Sequence, residues 1–152
     1  ERQLPVTVAR IFNTVGPRQT GRYGMVLPRF VEAAKAGEPL RVFGDGQQSR
    51  CFCHVSDTVE ALLHLAKCDR APGGVFNIGG TEEVSILNLA KRVIELTVST
   101  SKIELVPYAE AYDSGFEDMQ RRKPVVDKLE AFTGFRPATP LDEIVRSTAG
   151  LA

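Results

Sequence analysis

Three stretches of this chain carry side chains that could grip an anion. Residues 10–18 read RIFNTVGPR, residues 40–50 read LRVFGDGQQSR and residues 121–124 read RRKP. Arginine is permanently charged and offers a planar fork of N–H donors that matches two phosphate oxygens at once. Arg50 and the run Arg121-Arg122-Lys123 are therefore candidate phosphate ligands. Asn13 follows a β-branched run, at the strand end where α/β sheets place ligands, and its amide both donates and accepts, which suits a diphosphate or a sugar hydroxyl. The run 40–43 could offer backbone N–H and C=O groups to a planar base, with Phe43 packing on it. Each stretch also has a plainer reading. Asn13 could close an Asx-turn, residues 40–55 could be a β-hairpin with a solvated Arg50, and Arg121-Arg122-Lys123 could be a solvated surface run.

Other constellations carry less. Cys51-x-Cys53-His54 would point two thiols to one face of a strand, and His64 and Cys68 stand four apart on a helix, but no spacing matches a zinc pattern, so no metal is assigned and buried, inert cysteines are expected. Ser49, His54, Ser56 and Asp57 are close in sequence, yet nothing like a nucleophile elbow surrounds a serine. There is no G-x-G-x-x-G and no phosphate loop; Gly44-x-Gly46 follows a strand but opens no helix.

The bulk composition narrows the partners. A chain of 152 residues, 43% hydrophobic and 25% charged, supports about one domain with a buried core. Formal net charge is zero, so no global field draws nucleic acid or an anionic membrane. No apolar run approaches the roughly 18 residues of a membrane span. Three cysteines at irregular spacing make a poor disulfide framework and fit a reducing, cytoplasmic setting. The start at Glu1 reads as if cut from something longer.

The elements that must position these residues follow from periodicity. Residues 5–12 (PVTVARIF) predict a buried strand, 26–36 a helix with Val26, Leu27, Phe30, Val31 and Ala34 on one face and Gly37 past its end, and 40–43 and 50–55 two short strands. Ser56 or Asp57 should cap a helix reaching about Ala66, with Asp57 and Glu60 as a capping box. Residues 75–78 predict a strand ended by Gly79-Gly80, Ser85 the cap of an amphipathic helix, 102–106 a strand, 109–123 a loop and 126–132 a helix. Thr139 and Pro140 predict an N-cap and first helical position of a last helix. Strands alternating with helices indicate an α/β fold with parallel pairing.

Taken in order, the motifs resemble those of the extended short-chain dehydrogenases that act on sugar nucleotides, the NAD-dependent epimerase/dehydratase family. Residues 10–18 resemble its R-x-F-N-x-x-G-P-R stretch and 37–50 its G-x-P-L-x-V-x-G-D-G-x-Q-x-R. Val55 and Asp57 match its V-x-D, 76–79 its F/Y-N-I-G, and Arg122-x-Pro124, Gly134-Phe135-x-Pro137 and Leu141-x-Glu143 its tail. Where relatives carry Asp after R-x-P this chain has Val125, which predicts a looser tail anchorage.

The resemblance, which looks closest to UDP-glucose 4-epimerases and UDP-glucuronate decarboxylases, implies the C-terminal part of a Rossmann-type sheet plus a smaller substrate-binding α/β subdomain. Residues 1–152 would form a single fragment whose strands at 5–12 and 75–78 complete an absent N-terminal Rossmann domain. It further implies that Asn13 contacts the sugar or diphosphate, Val26 lines the nucleotide, Arg41 and Phe43 frame the uracil largely through backbone, Arg50 and Arg122 grip the diphosphate, and Asp118 reaches the ribose. NAD would be bound mainly by the absent domain, with hydride transfer at sugar C4 driven by a Tyr and a Lys in Y-x-x-x-K. No Tyr here has Lys four positions on, so no catalytic residue is assigned to this chain. The expected function is the UDP-sugar-binding part of a 4-epimerase, with UDP-glucuronate decarboxylase, 4,6-dehydratase and a non-catalytic binding module as alternatives. The parent would be a homodimer.

Overall fold

The computed structural model describes residues 4–21, 25–111 and 119–151. Nine strands and six helices alternate along them, largely in parallel pairs.

Strand β1 (Val8–Ile11) lies parallel to β6 (Val75–Ile78), in register from Val8↔Val75 to Ile11↔Ile78. The expected strand at 5–12 is thus shorter at both ends, because β6 offers four residues between glycine pairs. It is also not buried: Val8 and Ile11 are 45% and 48% exposed. Among the described residues β6 is its sole strand partner, so its other edge meets no neighbour. Helix α2 (Val55–Ala66) adds exposed Val59, Leu62 and Leu63. Its inner face packs Ala61 and Leu65 with Phe76, Ile78 and Leu129, the last from α5 (Asp127–Thr133).

A larger core joins helices α1 (Val26–Ala36), α3 (Ile86–Leu96) and α6 (Leu141–Ala149) over β3 (Leu40–Phe43). Gly37 ends α1 at φ 71°, donating to the carbonyls of Ala33 and Ala34, a left-handed cap that glycine adopts without Cβ strain. Ser85 caps α3 by accepting from the Asn88 N–H.

The expected hairpin does not form. β3 pairs in parallel with β8 (Ile103–Val106), and residues 50–55 split at Phe52. On one side β4 (Ser49–Cys51) runs antiparallel to β7 (Glu83–Ser85) and parallel to β9 (Arg121–Arg122). On the other, β5 (Cys53–His54) runs parallel to β2 (Thr14–Val15). At the split another backbone segment approaches closely, since a Cβ on Gly80 would lie 2.0 Å from the Phe52 carbonyl oxygen. Only a glycine lets the two backbones approach so closely.

Two helix starts differ from expectation. His54 caps α2, its ring accepting from the Ser56 N–H, while Asp57 accepts from the N–H groups of Ala138 and Thr139 at 3.1 and 3.0 Å. Pro140, not Thr139, is the N-cap of α6; the first helical N–H, of Leu141, is satisfied by Glu82 at 3.0 Å. At α2 the neighbouring His54 takes the capping role and frees Asp57 for a distant backbone; at α6 a distant carboxylate, Glu82, replaces the local cap. The expected loop at 109–123 holds a short helix α4 (Tyr108–Ala111) and β9. No helix among the described residues is long and apolar enough to cross a membrane.

Candidate functional site

Between the start of α1, the open edge of β3 and the β4–β9 seam lies a cavity of about 650 Å³. Asn13, Val26, Arg41, Phe43, Arg50 and Arg122 all line it. These side chains come from five separate elements or their ends, and the pairings above converge them. Asp118 lies outside the described residues.

Asn13 stands just past β1 in a left-handed conformation, φ 37°, which asparagine tolerates better than most residues. Its Nδ2 donates to the Cys51 carbonyl at 2.8 Å and its carbonyl accepts from the Cys53 N–H at 3.2 Å. This is a long-range tie, not an Asx-turn. It fixes the end of β1 to the β4–β5 break, and by inventory the amide keeps a second N–H and an oxygen for a ligand.

Along β3, the N–H groups of Leu40 and Gly44 donate to Lys102 and Val106 on the β8 side. Backbone polarity alternates along a strand, so the N–H groups of Arg41 and Phe43 face the edge away from β8, which pairs with no other strand among the described residues. Gln48, only 5% exposed, donates to the Phe43 carbonyl at 3.1 Å. Part of that edge is therefore engaged, and the Phe43 carbonyl has one lone pair committed. The Arg29 guanidinium sits 5.7 Å from the Phe43 ring centroid, and Arg41 makes a loose, exposed contact with Glu104 at 3.9 Å.

Arg50 and Arg122 are direct cross-strand partners in the β4–β9 register. Arg50 Nη1 donates to the carbonyls of Ser49 and Met119 at 2.8 and 2.7 Å, tying its side chain to the segment that leads into β9. The Arg122 guanidinium stacks 5.2 Å from the Phe12 ring centroid. Like charges directly opposite each other on a sheet repel; an anion between two such guanidiniums converts that repulsion into attraction. The whole lining carries Arg29, Arg41, Arg50 and Arg122 against Glu32 and Glu38, a cationic excess suited to a di-anionic ligand.

Val125 is 67% exposed, so the missing Asp leaves no hole. The tail is anchored instead by buried Pro124 and Val126 and by Asn77, whose Nδ2 donates to the Val125 carbonyl at 3.0 Å. Behind the cavity Cys51 and Cys53 are 0% and 1% exposed, and burial pushes both thiols above their ordinary value. They lie on separate strands flanking buried Phe52 and do not form one face.

Sequence reasoning passed over Arg29, Gln48 and Tyr108, all of which line the cavity. Arg29 could have been found, since it follows Val26 by three on the same helical stripe. Tyr108 could not: it arrives because β8 runs parallel to β3 and delivers the chain to the same end. Its ring lies against Gly44, where a Cβ would come within 2.3 Å of Cε2.

The residues present do not fit a dinucleotide cradle. Gly44 and Gly46 sit at φ 68° and 70° and turn against Tyr108, Val42 and Leu87, and the N–H groups of Ile86 and Leu87 at the start of α3 already donate to the Gln48 and Gly46 carbonyls, so they are not offered to a phosphate.

A sequence model of the NAD dependent epimerase/dehydratase family matches residues 1–79. The chain is 44% identical over 146 residues to UDP-N-acetyl-alpha-D-glucosaminuronate decarboxylase of Bacillus cytotoxicus, covering 95% of this chain and 45% of that protein. It is 41% identical over 138 residues to UDP-glucuronic acid decarboxylase 4 of Arabidopsis thaliana, covering 91% and 29%. The structure superposes on a solved UDP-glucose 4-epimerase from Thermotoga maritima, with UDP-glucose, at a TM-score of 0.82 and 31% identity, over 95% of this chain and 44% of that one. The chain thus spans less than half the length of each. The family model takes in the β1 strand, the Asn13 loop, α1, the β3–β5 stretch and α2, which supply most of the cavity wall, and by that match the chain belongs to the NAD dependent epimerase/dehydratase family.

Proposed function

We propose that this chain is the nucleotide-sugar-binding part of an NAD-dependent enzyme acting on a UDP-sugar, with the nucleoside diphosphate seated in the cationic cavity. The observation that carries the reading is the cross-strand pairing of Arg50 with Arg122 on one cavity wall. The two guanidiniums hold the diphosphate. The edge of β3 at Arg41 and Phe43, away from β8, frames the base, Val26 lines the nucleotide, and Asn13 orients the sugar or the phosphate next to it. When bound, NAD supplies the hydride acceptor; this chain's own contribution is to bind and orient the sugar nucleotide.

For the reaction, decarboxylation of a UDP-sugar acid is supported by the names of the two relatives at 44% and 41% identity. The second reading, 4-epimerisation, is supported by the sequence motifs and by the 31% likeness to the Thermotoga enzyme. A 4,6-dehydratase or a binding module without turnover has less support. The outward-facing Val8, Ile11 and Val75, with Val59, Leu62 and Leu63 on α2, support a further proposal, that β1 and β6 continue into the sheet of a dinucleotide-binding domain. Apolar edges of this kind otherwise invite aggregation.

Calorimetric titration of UDP, UDP-glucose and NAD into the purified chain tests the binding reading. UDP and UDP-glucose are expected to bind and NAD not. Arg50→Ala should weaken UDP by roughly ten- to a hundredfold, the worth of a charge-assisted hydrogen bond of about 1.5–3 kcal/mol. A folded chain that takes up no UDP refutes the assignment.

A further inference from the structure

The pairing of Arg50 with Arg122 depends on β9, a strand of two residues. Its backbone ties among the described residues are the register with β4 and the bond from the Ser49 N–H to the Gln120 carbonyl at 2.8 Å. Two residues of pairing hold a strand weakly. More is supplied by side chains that do not line the cavity. Glu83 stands on β7, across β4 from β9 in a sheet ordered β7-β4-β9. One of its oxygens accepts from Ser49 Oγ at 2.5 Å and from Arg121 Nε at 2.8 Å; the other accepts from Arg121 Nη2 at 2.9 Å. Lys123 Nζ approaches at 4.0 Å. One carboxylate thus joins all three strands.

The alternation of side chains along a strand sorts the cations of the RRK run. Arg121 and Lys123 turn to Glu83, and Arg122 between them lines the cavity. We infer that Glu83 is a positioning residue for the anion site: its carboxylate latches β9 to β4 away from the cavity and so sets Arg122 beside Arg50. The inference rests on the reading of the cavity as a diphosphate site. The Arg121 and Ser49 hydrogen bonds hold the Glu83 carboxyl near about 2, below its ordinary 4.5, so the latch is charged throughout the neutral range.

The test compares UDP with UMP on the same chain, because the second phosphate reports the paired guanidiniums while the base and first phosphate report the rest of the cavity. Glu83→Gln keeps the shape and removes the charge. It is expected to weaken UDP by roughly three- to thirtyfold and UMP by less than about twofold, as Arg122→Ala does. The swapped pair Glu83→Arg with Arg121→Glu should restore part of the UDP preference that Glu83→Arg alone removes. If Glu83→Gln does not fold, Arg121→Gln breaks the same latch from the other strand and takes its place. Should Arg122→Ala erode the preference for UDP while Glu83→Gln leaves it intact, the latch is refuted and the diphosphate reading stands. Equal weakening of UDP and UMP by Glu83→Gln would show a merely structural role and also refute the latch. A wild-type chain that binds UDP no better than UMP overturns the diphosphate reading, and the latch with it.

Discussion

Replacing Gly80 with alanine should damage both stability and the cavity. A Cβ there would lie 2.0 Å from the Phe52 carbonyl oxygen, 3.1 Å from its carbon and 3.8 Å from the Cys53 Cα. These are backbone atoms, so no rotamer change relieves the clash. The β4–β5 break must move, and with it Phe52, which lines the cavity. The residues on either side carry the two bonds that hold Asn13, one from Asn13 Nδ2 to the Cys51 carbonyl and one from the Cys53 N–H to the Asn13 carbonyl. Overpacking of this kind costs about 1–3 kcal/mol. For a chain of this size that lowers the melting temperature by roughly 2–12 °C. Thermal and urea unfolding read the stability; UDP titration well below the melting point reads the cavity and should show weaker binding. Gly37→Ala is the control. It meets nothing within 4 Å but sits at φ 71°, so it should cost about 1 kcal/mol through backbone strain alone and leave UDP affinity unchanged. If Gly80→Ala melts within about 1 °C of the wild type, the tight seam at Phe52 does not exist and the account of how Asn13 is placed fails with it.

Two further outcomes follow from packing and charge. Phe76 is fully buried, edge-on to Phe132 at 5.2 Å, and Phe76→Ala should cost about 3–5 kcal/mol in urea unfolding through loss of the smaller core. The acid limb of the stability curve should carry Glu83. Its carboxyl is held near about 2 against an ordinary 4.5, so its contribution is complete above that ordinary value. As pH falls from about 4.5 to about 2 the unfolded chain takes up the proton first and stability drops. Glu83→Gln should flatten that limb, which pH-dependent melts would detect; an unchanged limb refutes the assignment.

Local structure was well written into the sequence. The helical stripe from Val26, the glycine at 37, the serine at 85 and the FNIG strand each state their conformation within a few residues, and α1, β3 and β6 have the expected bounds. Pairing was less legible. The turn at Gly44 and Gly46 suggests a hairpin, yet β3 finds β8 and β4 finds β7 and β9, because parallel partners lie far along the chain and leave no local trace. Capping failed for the same reason at both misread helices, where Asp57 and Glu82 serve backbone N–H groups of distant segments. The cavity gathers Asn13, Val26, Arg41, Phe43, Arg50 and Arg122, which family spacing had picked out. Gln48 stands in the family motif but was given no role, although its bond to Phe43 is local, and Tyr108 escaped notice because its place depends on that same distant pairing.

The non-local strand pairing also bears on the order in which the chain can fold. Arg50 contacts Met119 across 69 positions, and β1, β3 and β4 each wait for a parallel partner from much later in the chain. Closing such loops must precede any reward from the contacts, which slows folding relative to a protein built from neighbouring hairpins. During synthesis, a nascent chain that has emerged only through β8 possesses the β3 edge proposed to frame the base but lacks Arg122, the second guanidinium beside Arg50. Ligand-dependent compaction of stalled nascent chains should therefore switch on only after residues 119–123 leave the ribosome.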